Sequence, residues 1–235
     1  MSNRAGDGAT TVRRGALFAG WSFRQLAVAI KTSDEAFTPR QQVVLTAALG
    51  LLVEGADRLT MTAVARRASC SKETLYKWFG DRDGLLTATV QWQAAKVRMP
   101  HVDRRHLDRA ALRDSIEQFA RDLLSTIAGG VSVTLNRLAI AHAGAEKRGL
   151  GAIVLENGPL AIRQRLKPVL EAGREARLLR FPNSEEAYRA FFGLVVRDTQ
   201  IRLLLGEELT LSAAEIDKEA ASATEQFFAL YGAAP

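Results

Sequence analysis

The sequence predicts an all-α protein of about nine helices. Apolar residues recur at spacings of three and four along most of the 235 residues, and alternation with a period of two is not sustained anywhere. Capping residues, glycines and prolines divide this pattern into segments of helical length. A hydrophobic content of 47% is enough to bury a core, which excludes a disordered chain.

Four helices are expected before residue 100, and the first begins at Pro39 with Thr38 as its cap. It is expected to end at Gly55. Its predicted core-facing stripe is Val44, Ala47, Ala48, Leu51 and Leu52. This helix would be the scaffold of a small N-terminal domain.

Two short helices joined by a tight turn are predicted to follow. The first runs from Met61 to Ala68 and the second from Lys72 to Phe79, with Thr60 and Ser71 as their respective caps. The turn occupies positions 69 and 70, and a glycine ends the second helix. This is the layout of a helix-turn-helix, whose second helix enters the major groove of DNA.

The second of these helices carries most of the side chains predicted to contact DNA. Leu75 and Phe79 are four residues apart and must pack inward, so the polar residues beside them face outward. The predicted contacts are Thr60, Thr62, Lys72, Glu73, Thr74, Tyr76, Lys77 and Arg82. Tyr76, Lys77 and Arg82 are suited to bind phosphates. Lys72 and Thr74 can reach base edges or the phosphates beside them.

A fourth helix is predicted from Arg82 to about Met99, capped by Asp81 and ended by Pro100. Its core-facing residues are expected to be Leu85, Leu86 and Val90. The helix would connect the DNA-reading unit to the rest of the chain.

Ten residues of the last three of these helices form a recognisable pattern: Thr60, Val64, Ala65, Ser71, Thr74, Leu75, Tyr76, Phe79, Leu85 and Leu86. Over about residues 38 to 92, this pattern resembles the DNA-binding domain of the tetracycline-repressor (TetR) family. The sequence departs from the family at Ser69, where glycine is usual, at Cys70, where valine is usual, and at Trp78, where histidine is frequent. Because a turn with φ above zero costs a residue other than glycine roughly 1 kcal/mol, we expect Ser69 to hold tolerated strain.

The positive charge lies in the N-terminal part of the chain. Residues 37–100 carry nine basic and five acidic side chains, and residues 1–36 carry five and three. Residues 101–235 carry eighteen of each, so the formal net charge of +6 belongs to the predicted DNA-binding part and the segment before it. This distribution favours contact with phosphates over a generic basic surface.

Residues 1–36 are compatible with three interpretations. Arg13 and Arg14 before a short apolar run resemble a twin-arginine export signal, but the run stops at Arg24 and a DNA-binding domain has no use outside the cytoplasm. A basic arm that follows the minor groove is the second interpretation, and a mobile, loosely packed leader is the third. We therefore divide the chain into a leader (1–36), a DNA-binding domain with its connecting helix (37–100) and a ligand-sensing and dimerisation domain (101–235).

The C-terminal part divides at turn residues into about five further helices. Their predicted spans are 112–127, 131–142, 150–172, 183–205 and 212–230. The third is expected to break or bend at Pro159 and again near Pro168. A capping box, Ser212 with Glu215, opens the last one.

The last two predicted helices are apolar on more than one face. Burial inside one domain would satisfy them, and so would a partner subunit. The resemblance implies that the two last helices pair with those of a second copy in a four-helix bundle. The residues predicted for this interface are Phe192, Val196, Ile216, Ala220 and Phe227.

A small-molecule effector is implied by the same resemblance. Its pocket would be mostly apolar with a few polar side chains. The predicted polar candidates are Asn136, His142, Asn157, Gln164 and Gln200. His142 is the leading one because it lies on the apolar stripe of its helix, although for each candidate a solvent-facing position or a partner within the protein is favoured over contact with a ligand.

The sequence offers no constellation typical of an enzyme. A single cysteine, Cys70, excludes an intrachain disulfide, and three scattered histidines give no metal-ligand spacing. No phosphate loop or nucleophile with a base is present, so we expect neither cofactor nor metal. No apolar run approaches 18 residues, which predicts a cytoplasmic, nucleoid-associated protein without a membrane span.

Two functional hypotheses remain. The first is a ligand-responsive repressor that binds a near-palindromic, double-stranded DNA operator as a homodimer and is released by a small molecule. The alternative is a DNA-anchored protein of the same fold whose output is a protein partner, which a large exposed apolar surface away from the dimer bundle would favour.

Overall fold

In a computed structural model, residues 37–143 and 149–233 are described, and they form α-helices joined by turns. These residues contain no β-strand, only one isolated antiparallel bridge between Leu179 and Gly232. The all-α prediction is therefore confirmed. The predicted leader, residues 1–36, lies outside the described residues.

The N-terminal helices form where the sequence predicts them. They are α1 (Pro39–Glu54), α2 (Met61–Arg67), α3 (Lys72–Phe79) and α4 (Arg82–Ala94). Each begins at a predicted cap whose side-chain oxygen accepts a backbone N–H three residues on: Thr38, Thr60, Ser71 and Asp81. These bonds satisfy N–H groups that have no partner within the helix, which explains why local sequence fixes the starts.

The C-terminal helices are α5 (Arg109–Ala128), α6 (Gly130–Ala141), α7 (Leu150–Leu155), α8 (Ala161–Glu175), α9 (Ser184–Val196), α10 (Thr199–Leu204) and α11 (Ala213–Tyr231). A single turn of π-helix, Glu156–Leu160, lies between α7 and α8 and contains Pro159. The break or bend predicted at Pro159 is thus a π turn. At Pro168, in contrast, α8 continues unbroken, since a proline costs one backbone hydrogen bond but need not end a helix.

The predicted extension of α4 to Met99 is wrong, because the helix ends at Ala94. Beyond this point the chain tightens into turns, and Val97 is buried. The guanidinium of Arg165 on α8 donates hydrogen bonds to the carbonyl oxygens of Ala94 and Val97, the latter at 3.0 Å. A side chain distant in sequence therefore satisfies the last carbonyl of α4 and one in the turn after it.

The helix predicted over 183–205 is two helices, so that prediction is also wrong in part. The break falls at Arg197, whose φ of 46° is left-handed. Its guanidinium pairs with Glu219 on α11 at 2.6 Å. Neither glycine nor proline marks this break, and the contact with α11 is tertiary.

Buried side chains form two clusters. The first, named the head core, joins α1 to α4 with residues of two later helices: Leu135 and Ala139 of α6, and Ile153 and Val154 of α7. The second, named the C-terminal core, joins α5, α8, α9 and α11 around the aromatic rings of Phe119, Phe191 and Phe227. The head core therefore includes helices that follow residue 100.

The described helices include no single one that is long and apolar enough to cross a membrane. By length and composition, α5 and α6 meet that criterion only as a pair bent by 62°. Within the same residues, no group of three or more His, Cys, Asp or Glu side chains is placed to hold a metal ion.

Candidate DNA-binding surface

The turn between α2 and α3 sets the position of the exposed helix. Ser69 has a φ of 49°, which confirms the expected left-handed backbone at a non-glycine residue. The N–H of Cys70 donates to the carbonyl of Ala65 at 3.0 Å, and Arg40 of α1 donates to the carbonyl of Ser69 at 2.6 Å. The strained turn is therefore held from both α2 and α1.

The two faces of α3 differ as predicted. Leu75 is fully buried in the head core, and Phe79 is half-buried beside Trp78, with ring centroids 6.2 Å apart. On the opposite face, Tyr76 is 52% exposed and Lys77 is exposed. An α-helix fits the major groove, so this outer face has the shape and chemistry to contact DNA.

The basic side chains of this region fall into two groups. Arg67 is held by Glu54 at 2.5 Å, and Arg58 lies 3.8 Å from the same carboxylate. Lys72 and Lys77 form no hydrogen bond or ion pair with any residue that the structure describes. Their charges are therefore available for a ligand, and phosphate is the ligand expected for a pair of lysines on such a helix.

Arg82 contacts the protein itself. Its Nε donates to the carbonyl of Leu59 at 3.0 Å, and its Nη1 lies 3.8 Å from Asp83. The side chain thus links the start of α4 to the loop before α2. This positioning role is one that the sequence analysis missed, because it joins residues 23 positions apart.

The remaining predicted contacts occupy the N-terminal ends of α2 and α3. Thr62 is exposed, while the hydroxyl of Thr60 accepts the N–H of Ala63 at 3.1 Å. The hydroxyl of Thr74, half-buried, lies 3.1 Å from that of Ser71. A hydrogen bond with Ser71 is the main cause that lowers the pKa of Glu73, which is therefore anionic. A carboxylate repels phosphates but can accept a hydrogen bond from cytosine.

Two family models match the chain. "Bacterial regulatory proteins, tetR family" matches residues 44–89, which contain α2 and α3. "AefR-like transcriptional repressor, C-terminal domain" matches residues 114–233, more than half of the chain. The chain belongs to the TetR family of transcriptional regulators.

Solved structures of three other regulators have the same fold. A TetR transcriptional regulator from Agrobacterium tumefaciens is 48% identical, with a TM-score of 0.70 over 84% of this chain and 96% of that one. The flavonoid-responsive regulator FrrA is 28% identical, with a TM-score of 0.60 over 82% and 97%. A TetR-family regulator from Mesorhizobium loti is 23% identical, with a TM-score of 0.64 over 82% and 96%. A comparison with curated protein sequences returned no match.

None of the polar side chains predicted to bind an effector lines the cavity of this TetR regulator that is described below. His142 and Gln164 are exposed, and Gln200 is half-buried. The expectation that His142 lies within an apolar stripe is wrong, since α6 ends at Ala141 and the ring turns back to the carbonyl of Leu138 at 2.8 Å.

The two asparagine candidates are bound within the protein. The amide of Asn136 donates to the carbonyl of Ser132 at 2.8 Å. The side-chain oxygen of Asn157 accepts a hydrogen bond from Gln91 on α4 at 2.9 Å. Both side chains thus have partners without an effector.

A cavity of about 220 Å³ opens elsewhere, between the end of α4, the end of α5 and the start of α6. Its lining includes Gln93, Lys96, Asp122, Ser125, Thr126 and Val131. Gln93 is buried, and its Oε1 has no hydrogen-bond partner among the described residues. A buried acceptor without a donor is unfavourable, so the amide of Gln93 would gain from a hydrogen-bond donor.

The dimer residues predicted from the last two helices separate into two classes. Val196, Ala220 and Phe227 are buried inside the protomer's own C-terminal core, so their assignment to an intersubunit surface is wrong. Phe192 and Ile216 are half-buried at the edge of that core. The helical spacing of apolar residues predicted that these faces are packed, but it could not distinguish packing within a subunit from packing between subunits.

Proposed function

We propose that this TetR regulator is a repressor that binds a near-palindromic operator as a homodimer and releases it when a small molecule binds. The observation that carries the proposal is the outer face of α3, with two lysines that form no hydrogen bond or ion pair within the described protein. Lys72 and Thr74 would reach base edges, while Tyr76 and Lys77 would hold phosphates.

The need for a dimer follows from the length of α3. Eight residues make about two turns, which contact too few base pairs to specify a site. Two copies related by a two-fold axis would read two half-sites, roughly 34 to 36 Å apart for one helical turn of DNA. Apolar side chains for such a contact are available at α10, where Ile201 is 53% exposed and Leu205, directly after the helix, is 81% exposed.

Two of the proteins and families that the chain resembles support a small-molecule effector and a repressor role. FrrA, at 28% identity, responds to flavonoids by name, and the matched C-terminal family model is that of a repressor. The cavity beside the buried Gln93 offers a polar group to an effector. Release would follow if the effector prefers a conformation in which the two copies of α3 no longer fit the operator.

DNA binding is tested by selecting duplexes from a random pool and measuring affinity against salt. We expect the double variant Lys72→Ala with Lys77→Ala to weaken binding at least about tenfold and to reduce the salt dependence by about one to two released counterions. Lys218→Ala, an exposed lysine on α11, is the matched control and should bind as wild type does. Wild-type affinity of the double variant would contradict this docking.

Assembly is tested by light scattering. Leu205→Glu should shift the protein towards monomer and weaken operator binding, whereas Leu155→Glu, at a 52% exposed position on α7, should do neither. A wild-type protein that is monomeric at micromolar concentration would contradict the dimer.

A further inference from the structure

The cavity between α4, α5 and α6 lies at the N-terminal end of α6. Gly129, Gly130 and Val131 form part of its wall, and α6 begins at Gly130 without a side-chain cap. Val133 donates to the carbonyl of Gly129, but the N–H groups of Gly130, Val131 and Ser132 have no acceptor among the described residues. The start of a helix carries partial positive charge and unpaired N–H groups, so this wall offers donors to an anion.

A buried amide from α4 forms another part of the wall. Gln93 is 6% exposed, and neither end of its amide has a hydrogen-bond partner within the part of the chain that the structure describes. Buried side-chain amides are usually hydrogen-bonded, so this one indicates a partner that the protein itself does not supply. Its nitrogen can donate to a carboxylate oxygen of a ligand.

The charged side chains at the wall leave an excess of positive charge. Asp122 is paired with Arg98, whose Nε lies 2.8 Å from its Oδ2. Lys96 is exposed, and its ammonium forms no hydrogen bond or ion pair with any described residue. Lys96 and Arg98 against Asp122 give a net charge of +1. The hydroxyl groups of Ser125 and Thr126 add further donors, so the unpaired groups of this wall favour a ligand that accepts hydrogen bonds and carries negative charge.

The size of the cavity limits the ligand. Its 220 Å³ is less than the roughly 300 to 1,000 Å³ of pockets that hold drug-sized molecules. Liquid water would fill the same volume with about seven molecules, so an inorganic anion alone would leave most of it to solvent. The side chain of Val131 gives an apolar contact for the remainder of an organic molecule.

We propose that this cavity binds the carboxylate of a small organic acid. The carboxylate accepts hydrogen bonds from the N–H groups of Gly130 and Val131 and from the Nε2 of Gln93, and Lys96 balances its charge. The organic body of the acid lies beside Val131. Binding of the acid is independent of DNA, whereas its action as the effector that releases the operator rests on the proposed function.

The class of ligand is tested by calorimetric titration of the full-length protein without DNA. The probes are benzoate and 4-hydroxybenzoate, each matched by its neutral amide, and inorganic phosphate. We expect both acids to bind and the two amides to bind at least about tenfold more weakly, because only the acids carry the charge that the wall complements. Phosphate should bind more weakly than benzoate, since it makes no contact with the apolar part of the wall.

The helix start is tested at Gly130. Proline is tolerated at the first position of a helix, and Gly129 already has the extended backbone that precedes proline, with φ of −68° and ψ of 135°. A Cβ on Gly130 would meet nothing within 4 Å. Gly130→Pro therefore removes one N–H with little other change, and it should bind benzoate about 3- to 10-fold more weakly than Gly130→Ala, which keeps that N–H.

Two side-chain variants separate binding from folding. Lys96→Gln should weaken benzoate binding about tenfold and leave benzamide binding unchanged, whereas Lys218→Gln, at an exposed lysine of α11, should affect neither. Gln93→Leu should weaken benzoate binding by about 2- to 10-fold without lowering the melting temperature, because leucine at a buried site needs no hydrogen-bond partner. A purely structural role of Gln93 predicts the opposite, a lowered melting temperature with benzoate affinity retained.

The outcomes separate this site from the proposed function. If neither acid binds, if the amides or phosphate bind as tightly as the acids, or if Gly130→Pro binds benzoate as Gly130→Ala does, the inference is wrong, and DNA binding by the homodimer is untouched. If the acids and variants behave as expected but saturating acid leaves operator affinity unchanged, the site is confirmed and its role as the effector site of the proposed function is contradicted.

Discussion

The head core and the C-terminal core are filled by different types of apolar side chain. The fully buried residues of the head core are aliphatic, such as Val44, Leu52 and Leu75, with aromatic rings only half-buried at its edge. In the C-terminal core, Phe191 and Phe227 pack edge to face with centroids 5.7 Å apart. Such ring pairs stabilise a core beyond the area that they bury.

The two cores also differ in the lengths of the helices that enclose them. In the C-terminal core, α5 and α11 have 20 and 19 residues and pack along each other. In the head core, α2 and α3 have only 7 and 8 residues, and the later helices α6 and α7 pack on α1 and α4 and complete that core. The comparison teaches that the C-terminal core is closed by its own long helices, whereas the head core depends on helices from the C-terminal part of the chain.

The largest effect is expected from a charge in the C-terminal core. Phe227→Glu removes a fully buried ring, a loss of about 3–5 kcal/mol for truncation alone, and buries an unpaired carboxylate as well. Circular dichroism should show loss of helicity at 25 °C. Leu230→Glu, three residues on at a 62% exposed position, should remain folded. A helical Phe227→Glu protein would mean that the ring does not belong to the protomer's own core.

The next largest loss of stability is expected at Gly84, where α4 begins close to the end of α3. A Cβ on Gly84 would lie 1.9 Å from the carbonyl oxygen of Phe79, so Gly84→Ala must move the end of α3 away from the start of α4. We expect a loss of about 2–4 kcal/mol in the free energy of unfolding, in the range of overpacking and strain. Gly193→Ala, where nothing lies within 4 Å, should instead stabilise α9 by about 0.5–1 kcal/mol. Equal melting temperatures for the two variants would contradict this account of Gly84.

A smaller effect, of opposite sign, is expected at the turn of the head. Ser69→Gly relieves a left-handed backbone at a non-glycine residue and should stabilise the protein by up to about 1 kcal/mol. Ser69→Ala keeps the strain and should not stabilise it. Denaturant unfolding measures both, and a destabilised Ser69→Gly protein would show that the hydroxyl contributes more than the strain costs.

The smallest effect is a pH dependence at the edge of the C-terminal core. Burial by itself would raise the pKa of Asp122, but hydrogen bonds from Arg98 and Gln118 outweigh it and lower that pKa. A lowered folded pKa means that the contribution to stability is present above about pH 4, the ordinary aspartate value, and is lost as the pH falls through the folded pKa.

Asp122→Asn should therefore cost less than about 1 kcal/mol at pH 7, since Arg98 is largely exposed to solvent. The difference from wild type should shrink as the pH falls below about 4. Asp217→Asn, at a more exposed ion pair with Arg121, is the control. A difference that grows on acidification would reverse the sign of this assignment.

Local chemistry explains which features could be predicted from the sequence. Caps such as Thr60 and Ser71 act on backbone groups three residues away, so they fix the starts of α2 and α3 without the rest of the fold. The buried face of α3 followed from the spacing of Leu75 and Phe79. The end of α4 could not be predicted, because Arg165, 71 residues beyond Ala94, satisfies the carbonyl of that last helical residue.

Among the candidate site residues, those whose position depends only on local sequence could be predicted, and those that depend on packing between elements could not. The exposed lysines of α3 follow from a helical period within one helix. Phe227 and His142 needed knowledge of which elements pack together, and periodicity places both on an apolar stripe without showing where that stripe ends or what covers it.

The shared head core has a consequence for exchanging parts between regulators. A graft of residues 37–100 onto another protein would lack α6 and α7, which pack on α1 and α4 and contribute Leu135, Ala139, Ile153 and Val154 to the head core. The uncovered aliphatic surface would favour aggregation of the graft. Transplanting DNA specificity into a foreign regulator therefore calls for substitutions on the outer face of α3, or for the whole stretch through α7 to be moved together.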